Sequence, residues 1–230
     1  MSGSHGQKRI VVAIDGPAGA GKSTVAREVA RALGYVIVDT GALYRGVALI
    51  ARERNVPWTD GAALGPLAES LALELRAAPD GSARLYIDGR DRADDIRSQA
   101  ISMGASDVSK HAEVRAALLG LQRHLGRSGG VVLEGRDIGT VVFPNAEAKV
   151  FLTASSPARA GRRVADLRSR GVEADYDTTL AEVEARDAQD SGRAIAPLRP
   201  AEGAVIVDST ELSFDEVVAR VVEIARAAMV

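Results

Sequence analysis

The chain of 230 residues contains no cysteine. Without cysteine a protein has no disulfide, no thiolate metal ligand and no cysteine nucleophile. The three histidines, His5, His111 and His124, show no metal-ligand spacing, and no Ser/His/Asp motif for nucleophilic catalysis is visible. The composition fits a reducing compartment, so we expect a cytoplasmic protein.

An excess of charge of one sign is also absent, because 29 basic residues face 31 acidic residues and the formal net charge is -2. Bulk charge therefore gives no reason to expect a nucleic acid or a membrane as partner. The leader, Met1 to Gln7, is polar and rich in Gly and Ser. The apolar run from Ile10 to Ile14 is too short for a signal sequence or a membrane span, so we expect neither.

Five short apolar runs indicate buried strands, and most of them precede Gly, Ser, Thr or Asp and then a stretch with helical periodicity. The runs are Ile10 to Ile14, Val36 to Val38, Val131 to Leu133, Val150 to Leu152 and Val205 to Val207. This alternation predicts an α/β fold in which helices cover both faces of a parallel sheet.

Helical periodicity marks six segments, and Ser213 is a good N-cap for the last of them. The predicted helices are Lys22 to Leu33, Gly41 to Arg54, Glu113 to Leu125, Pro157 to Arg170, Thr178 to Asp190 and Phe214 to Met229.

The pattern changes between Trp58 and Ser109. Apolar residues alternate with others over Leu71 to Leu75 and again over Leu85 to Ile87, and Pro79-Asp80-Gly81 between them is a turn signal. This part predicts an antiparallel hairpin. The chain exceeds the guide value of ~150 residues for one domain, and we therefore expect one α/β domain that carries this segment as an insertion.

The strongest chemical signal is the pattern G-x-x-x-x-G-K-[ST], which stands between the first predicted strand and the first predicted helix. Backbone N–H groups of such a loop surround the β- and γ-phosphates, Lys22 supplies a cation and Ser23 supplies a hydroxyl for Mg²⁺. A glycine-rich turn that binds nothing would not need the strand, the helix, Lys and Ser together. We expect Lys22 to be exposed toward the phosphates. The predicted ATP-binding residues are Gly16, Pro17, Ala18, Gly19, Ala20, Gly21, Lys22, Ser23 and Thr24.

Two further segments, Asp39 to Arg45 and Glu134 to Thr140, follow predicted strands, and open α/β sheets bind ligands at this edge. An Arg such as Arg136 can donate two bonds to a phosphate, and an adjacent Asp offers an acceptor for an amino group. The alternatives are structural. In the first segment Thr40 could cap a helix and the Arg could lie on its surface, and in the second the Arg and Asp could form a surface pair beside a glycine turn.

Two arginine clusters have both a functional and a structural interpretation. Arg159, Arg162, Arg163, Arg168 and Arg170 crowd one predicted helix, which is either a solvated face or a lid that closes over the transferring phosphoryl group. Arg186, Asp190 and Arg193 stand at positions i, i+4 and i+7, the spacing of one face of a helix. They are either ordinary surface ion pairs or a cluster that binds phosphate and ribose, and their spacing alone leaves both open.

Taken together, these segments resemble the bacterial type of cytidylate kinase, from about Ile10 to the C-terminus. The similarity rests on the order and spacing of GPAGAGKS, DTGALYR, the Ser106 to Arg115 segment, GRDIGTVVFP, the Arg-rich lid and RDAQDSGRAIAPL. The resemblance implies an adenylate-kinase-like P-loop core with five parallel strands in the order 2-3-1-4-5. It further implies a core of residues 8–57 and 126–230, a monophosphate-binding region with the hairpin at 58–125, a short lid at about 157–172, and a monomer.

The resemblance also implies roles for individual residues. Arg45, Arg136 and Arg186 correspond to residues that bind the phosphate of the acceptor nucleotide. Thr40, Ser106, Arg115 and Asp137 correspond to the cytosine pocket, and Asp190 and Arg193 to the sugar contacts. The catalytic residues implied are Lys22, Arg136, Arg162 and Arg186. Asp39 and Glu134 are both candidates for a water-mediated contact to Mg²⁺, and neither is singled out.

The implied reaction is transfer of the γ-phosphoryl group of MgATP to CMP or dCMP, which yields ADP and CDP or dCDP. Cytosine presents one amino donor and two acceptors, so its pocket needs both an acceptor such as Asp137 and donors such as Arg115 and Ser106. Two alternatives remain. One is a kinase for shikimate or a different nucleoside monophosphate, and the other is a regulatory P-loop switch without an acceptor site.

Overall fold

A computed structural model describes residues 8–78, 82–169 and 171–230. The described residues form eight strands: β1 (Val11–Asp15), β2 (Val36–Asp39), β3 (Leu73–Ala77), β4 (Ala83–Ile87), β5 (Arg90–Asp91), β6 (Val131–Gly135), β7 (Ala148–Thr153) and β8 (Val205–Asp208). Five of them make a parallel sheet in the order β2-β6-β1-β7-β8. Counted along the chain, these parallel strands follow the order 2-3-1-4-5, and the predicted α/β fold is confirmed.

Eight α-helices cover this part of the chain: α1 (Lys22–Leu33), α2 (Thr40–Glu53), α3 (Gly61–Ser70), α4 (Gln99–Val108), α5 (Ala112–Gly126), α6 (Ser156–Ser169), α7 (Tyr176–Ser191) and α8 (Phe214–Ala227). The six predicted helices agree with α1, α2, α5, α6, α7 and α8 to within two residues at each end. Arg170, the predicted end of α6, lies outside the described residues. Ser213 and Glu216 form a capping box at the start of α8, as its sequence indicates.

Helices α3 and α4 were not predicted. Helix α3 contains Pro66 and glycines, and α4 is rich in Ser and Gly, so both have low intrinsic helix propensity. Packing overrides that preference. A Cβ atom on Gly104 of α4 would lie 2.5 Å from the Trp58 ring, and one on Gly65 of α3 would lie 2.6 Å from the Glu113 side chain of α5. The glycines therefore permit close approach, which periodicity does not reveal.

The predicted hairpin is present. Strands β3 and β4 pair antiparallel with Leu75 opposite Leu85, and β5 adds a short third strand. The turn predicted at residues 79–81 lies outside the described residues. Leu73, Leu85 and Ile87 share a hydrophobic cluster with α2, α3, α4 and α5. Helix α2, which precedes the predicted insertion boundary at residue 58, therefore packs with the insertion.

The parallel sheet separates two further hydrophobic clusters. Ile10, Val12 and Ile14 pack on one face with residues of α1 and α8, while Val11 and Ala13 pack on the other face. This division follows the two-residue period of a strand. Within the described ranges, no helix is long and apolar enough to cross a membrane.

Candidate active site

An open cleft of about 720 Å³ lies at the carboxyl ends of the parallel strands. Its walls come from the loops after β1, β6 and β8, from the start of α2, from α4 and α5 of the insertion, and from α6 and α7. Parallel strands end at one edge of a sheet, so residues that are distant in sequence converge there. Of the predicted site residues, Gly16 and Pro17 do not line the cleft. The others all do: Ala18, Gly19, Ala20, Gly21, Lys22, Ser23, Thr24, Thr40, Arg45, Ser106, Arg115, Arg136, Asp137, Arg162, Arg186, Asp190 and Arg193.

The loop between β1 and α1 has the backbone geometry that its glycines permit. Gly16 has a φ of 152°, and a Cβ atom there would lie 1.9 Å from the carbonyl oxygen of Leu152. Gly21 precedes α1 in the left-handed region, and α1 begins at Lys22. The first N–H groups of α1 have no partners within the helix, so this end provides donors and a positive dipole for phosphate.

The Lys22 side chain is buried, with 6% of the residue exposed, and the expectation that it is exposed is wrong. Its Nζ atom donates a 2.7 Å hydrogen bond to the carbonyl oxygen of Pro17, inside the loop. Burial and the nearby positive charge of Arg136 hold the pKa of Lys22 well below its ordinary value. The cation is therefore held in an environment that favours a nearby anion.

The arginines of α6 separate into different environments. Arg159 is buried and donates to the carbonyl oxygens of Ala154 and Ala18 at 2.8 and 3.0 Å, so it supports the P-loop from behind. Arg162 and Arg163 line the cleft. Arg168 donates to the carbonyl oxygen of Ala174 at 3.1 Å on the surface. Arg170 lies outside the described residues. Two arginines of this group therefore line the cleft, a third supports the P-loop, and a fourth lies on the surface.

Three cations face the centre of the cleft from different elements. Arg45 pairs with Asp39 at 2.6 Å, and Arg136 pairs with Asp190 at 2.9 Å. The buried Nε atom of Arg186 has no hydrogen-bond partner among the described residues. Burial and the adjacent charge of Arg136 lower the pKa of Arg186 to about 10. This arrangement favours an anion between the arginines.

A buried ion pair forms the far wall of the cleft. Nη2 of Arg115 donates to Oδ2 of Asp137, and the side chains are only 9% and 7% exposed. Nη1 of Arg115 donates to the carbonyl oxygen of Ser109 at 3.1 Å, and its guanidinium lies 5.6 Å from the centre of the Tyr44 ring. The surface pair of Arg136 with Asp137 that the sequence allowed is therefore not formed.

Asp190 and its neighbours have little exposure to solvent. Asp190 accepts from both Arg136 and Arg193. Burial alone would raise the pKa of Asp190, but the two arginines outweigh burial and lower it. Thr40 donates its hydroxyl hydrogen to the carbonyl oxygen of Glu134 at 2.7 Å, which leaves Thr40 only an acceptor for other groups.

Comparison with known proteins shows which family the chain belongs to. The sequence profile of the family described as Cytidylate kinase matches residues 12–227. The chain belongs to the cytidylate kinase family. It is 47% identical to the cytidylate kinase of Syntrophotalea carbinolica, over 94% of this chain and 92% of the relative. It is also 47% identical to that of Symbiobacterium thermophilum, over 97% of this chain and 99% of the relative. Membership in the family makes the chain a kinase.

Among solved structures, a gluconokinase from Sinorhizobium meliloti matches 96% of this chain and 95% of its own, with 18% identity and a TM-score of 0.48.

No group of three or more His, Cys, Asp or Glu residues suited to a metal ion occurs among the described residues. Ser23 lines the cleft in the first turn of α1, and Glu134 is buried beside it. Burial and the negative charge of Asp39 raise the pKa of Glu134 to about 7, and its Oε1 atom has no partner within the described residues. A hydroxyl with nearby carboxylates fits Mg²⁺, which keeps several waters and phosphate oxygens as ligands.

Sequence reasoning missed three polar residues that support the site. Asp15, at the end of β1, accepts from the N–H groups of Ile138 and Gly139 at 2.8 and 2.7 Å and so positions the loop after β6. Its place at the end of an apolar strand was a usable signal. Asp187 and Gln189 on α7 contact Arg159 and Ser106, and only the folded structure reveals those partners.

Proposed function

We propose that the protein transfers the γ-phosphoryl group of MgATP to CMP or dCMP and forms ADP with CDP or dCDP. The observation that carries the proposal is a single cleft that joins a phosphate-binding loop and a cluster of cations to the buried Arg115–Asp137 pair. The phosphate-binding loop and the cluster of cations suit polyphosphates. The buried pair offers a donor and an acceptor to a base.

The P-loop and the residues after β8 support ATP as the phosphoryl donor. Leu212 and Phe214 are 38% and 44% exposed, and both line the cleft together with Arg162. Nη1 of Arg162 donates to the hydroxyl of Ser209 at 3.0 Å, which holds the guanidinium near this apolar surface. An apolar surface with a planar cation suits a purine base, so ATP fits as phosphoryl donor.

Mg²⁺ would be held by the Ser23 hydroxyl and by phosphate oxygens, with Asp39 and Glu134 in reach through water. The unpartnered Oε1 atom of Glu134 supports this role. When bound, the ion neutralises charge on the β- and γ-phosphates.

The arginines and the buried Arg115–Asp137 pair support a cytidine monophosphate as the phosphoryl acceptor. Arg45, Arg136 and Arg186 come from three elements and suit a phosphate. Asp137 uses Oδ2 for Arg115, and its other oxygen accepts no hydrogen bond from the described residues, so it is available to an amino group. Cytosine carries such an amino group at C4, and uracil does not.

The chemistry requires positioning and charge neutralisation more than covalent catalysis, because the acceptor is already an anionic phosphate oxygen. Lys22, Arg136, Arg162 and Arg186 carry the positive charge that offsets developing charge on the transferred group. The P-loop N–H groups orient the donor, and the arginines orient the acceptor. No side chain has to act as a strong base or as a nucleophile.

The same proposal includes the organisation implied by the resemblance. Residues 8–57 and 126–230 act as the core, residues 58–125 bind the monophosphate, and residues 157–172 act as the lid. The protein works as a monomer in the cytoplasm, without a nucleic-acid or membrane partner. Sedimentation with and without CMP tests the monomer, because a dimer would sediment as twice the 24.0 kDa chain.

The decisive experiment measures ADP release from MgATP with CMP, dCMP, UMP, AMP, GMP or shikimate as acceptor. We expect CMP and dCMP to be the best acceptors. Arg186→Ala should reduce the rate with CMP by about 10²-fold or more, whereas Arg220→Ala, a surface arginine on α8 paired with Glu223, should not change it. Preference for shikimate or AMP, or nucleotide binding without transfer to any acceptor, would overturn the proposal.

A further inference from the structure

Two polar bridges join α4 of the insertion to α7. Nε2 of Gln99 donates to the two carboxylate oxygens of Glu182 at 3.1 and 3.2 Å, and Nε2 of Gln189 donates to the Ser106 hydroxyl oxygen at 2.8 Å. Ser106 lies seven residues after Gln99, and Gln189 lies seven residues after Glu182. Seven residues are close to two helical turns, so both bridges lie along one face of each helix.

The bridge to Ser106 continues into the acceptor end of the cleft. The Ser106 carbonyl oxygen accepts from the Ser109 hydroxyl at 2.9 Å, and the Ser109 carbonyl oxygen accepts from Arg115 at 3.1 Å. Arg115 in turn holds Asp137. Gln189 itself lies between Arg186 and Asp190 in the sequence of α7, and both of those residues line the cleft. One side chain therefore connects the phosphate-binding helix with the base-binding wall.

The direction of the Gln189 bond has a chemical consequence for Ser106. A hydroxyl has one hydrogen to donate and two lone pairs to accept with. The Gln189 amide occupies a lone pair, and the Ser106 hydroxyl donates to no residue within ranges 8–78, 82–169 and 171–230. Because Ser106 is 7% exposed and lines the cleft, its hydrogen is available to a ligand there.

We propose that Gln189 is a positioning residue for recognition of the base of the nucleotide that receives the phosphoryl group. By donating to Ser106 Oγ it directs the Ser106 hydroxyl hydrogen to a hydrogen-bond acceptor atom of that base. The inference rests on the proposed function, in which the base is cytosine. Cytosine presents acceptors at N3 and O2, so a hydroxyl that must donate suits it. The Gln99–Glu182 bridge is a control built into the same helix pair, because it joins α4 to α7 without contacting Ser106.

The test reverses the bond without removing it. The carboxylate in Gln189→Glu has no hydrogen to donate, so a bridge to Ser106 forms only if the hydroxyl donates to the carboxylate. The hydroxyl hydrogen is then no longer available to the ligand. We expect kcat/KM for CMP to fall by about tenfold, which corresponds to one unmade hydrogen bond to a buried group. In Gln189→Leu the hydroxyl is free to rotate toward the ligand, and the loss should be only about threefold.

A double-variant cycle separates this effect from the added negative charge. Ser106→Ala alone should lower kcat/KM for CMP by about tenfold. If Glu at position 189 acts through the Ser106 hydroxyl, Gln189→Glu should cost less than about twofold in the Ser106→Ala background. Gln99→Ala should leave kcat/KM for CMP within about twofold of the unaltered protein, and KM for ATP should stay constant throughout the series.

Independent effects of Gln189→Glu and Ser106→Ala that multiply in the double variant would overturn the inference. An equal loss in Gln99→Ala would also overturn it, because Gln189 would then only hold α4 against α7. These outcomes differ from failure of the proposed function, in which the unaltered protein itself does not phosphorylate CMP.

Discussion

The guanidinium of Arg159 and the carboxylate of Asp187 form a two-bonded ion pair that joins α6 to α7 behind the P-loop. Nη1 of Arg159 lies 3.0 Å from Oδ1 of Asp187, and Nη2 contacts Oδ2. The remaining N–H groups donate to the carbonyl oxygens of Ala154 and Ala18 and to the hydroxyl of Ser156. All five donors of the guanidinium are therefore used within the protein. Arg159 fixes the P-loop and has no donor left for a phosphate.

Asp187→Asn should weaken both the fold and ATP binding. Loss of one partner of a buried ion pair costs up to about 3 to 5 kcal/mol, and because the Asp187 side chain is 26% exposed we expect about 2 kcal/mol. KM for ATP should rise several-fold, because the Arg159 guanidinium, which donates to the carbonyl oxygen of Ala18 in the P-loop, loses its support. Urea unfolding and initial rates measure the two effects. Glu184→Gln, at an exposed acid on the same helix, is the matched control, and equal behaviour of the two variants would refute the role of the pair.

Lys22→Met should abolish transfer without destabilising the ligand-free protein. The depressed pKa of Lys22 means that burial and Arg136 disfavour its charged form in the folded state, so its replacement by an apolar side chain removes an unfavourable charge. Catalytic cations at a transferring phosphoryl group contribute on the order of 10³-fold or more in rate.

Turnover and thermal unfolding of Lys22→Met should be compared with Lys110→Met, in which an exposed lysine paired with Asp107 is replaced. We expect Lys110→Met to retain full turnover. A Lys22→Met protein that turns over normally would contradict the P-loop role, and one that unfolds many degrees lower would contradict the electrostatic argument.

Glu134 should make stability fall as the pH rises. Its pKa is about 7 in the folded protein against 4.5 for the unperturbed group, so between these values the folded state holds a proton that the unfolded chain has released. Stability is lost over this interval and is not regained above it. Glu134→Gln cannot titrate. At pH 5 the two ligand-free proteins should be similarly stable, and at pH 8 the variant should be more stable by about 1 to 3 kcal/mol. Denaturant titrations at both values measure this, and a difference that does not change with pH would contradict it.

The sheet and most helices could be predicted because their signals are local. Apolar runs such as Val131 to Leu133 lie in the buried centre of the parallel sheet, and Ser213 caps α8 with a bond to a residue three positions away. Helices α3 and α4 could not, since contacts such as Gly104 against Trp58 decide them. Local propensity competes with packing, and here packing decides the structure.

The candidate site shows the same division. The segments that meet in the cleft could be predicted, because parallel strands bring their carboxyl ends together. The ion pairs could not. Arg136 pairs with Asp190 across 54 positions, and Asp137 pairs with Arg115 across 22, although Arg136 and Asp137 are adjacent. Both residues lie in the bend after β6 and pair with different partners, so adjacency in sequence did not predict pairing.

Asp137 should decide the choice between cytosine and uracil. If its carboxylate accepts a hydrogen bond from the C4 amino group of cytosine, UMP places a carbonyl oxygen against it, and two acceptors then face each other. A buried acceptor without its donor costs about 1 to 3 kcal/mol. UMP should therefore be poorer than CMP by about 10- to 10²-fold in kcat/KM.

Asp137→Asn and Asp137→Ala separate base recognition from support of Arg115. The Asn amide can keep an oxygen for Arg115 and present its NH₂ group to the uracil carbonyl, so it should lose activity with CMP and narrow or invert the CMP:UMP ratio. The Ala variant should lose activity with CMP without that gain for UMP. If Asp137 only orients Arg115, both variants will weaken CMP and UMP by a similar factor. Measurement of kcat/KM for both nucleotides in all three proteins distinguishes the roles: an unchanged CMP:UMP ratio in Asp137→Asn would leave Asp137 as a support for Arg115 alone.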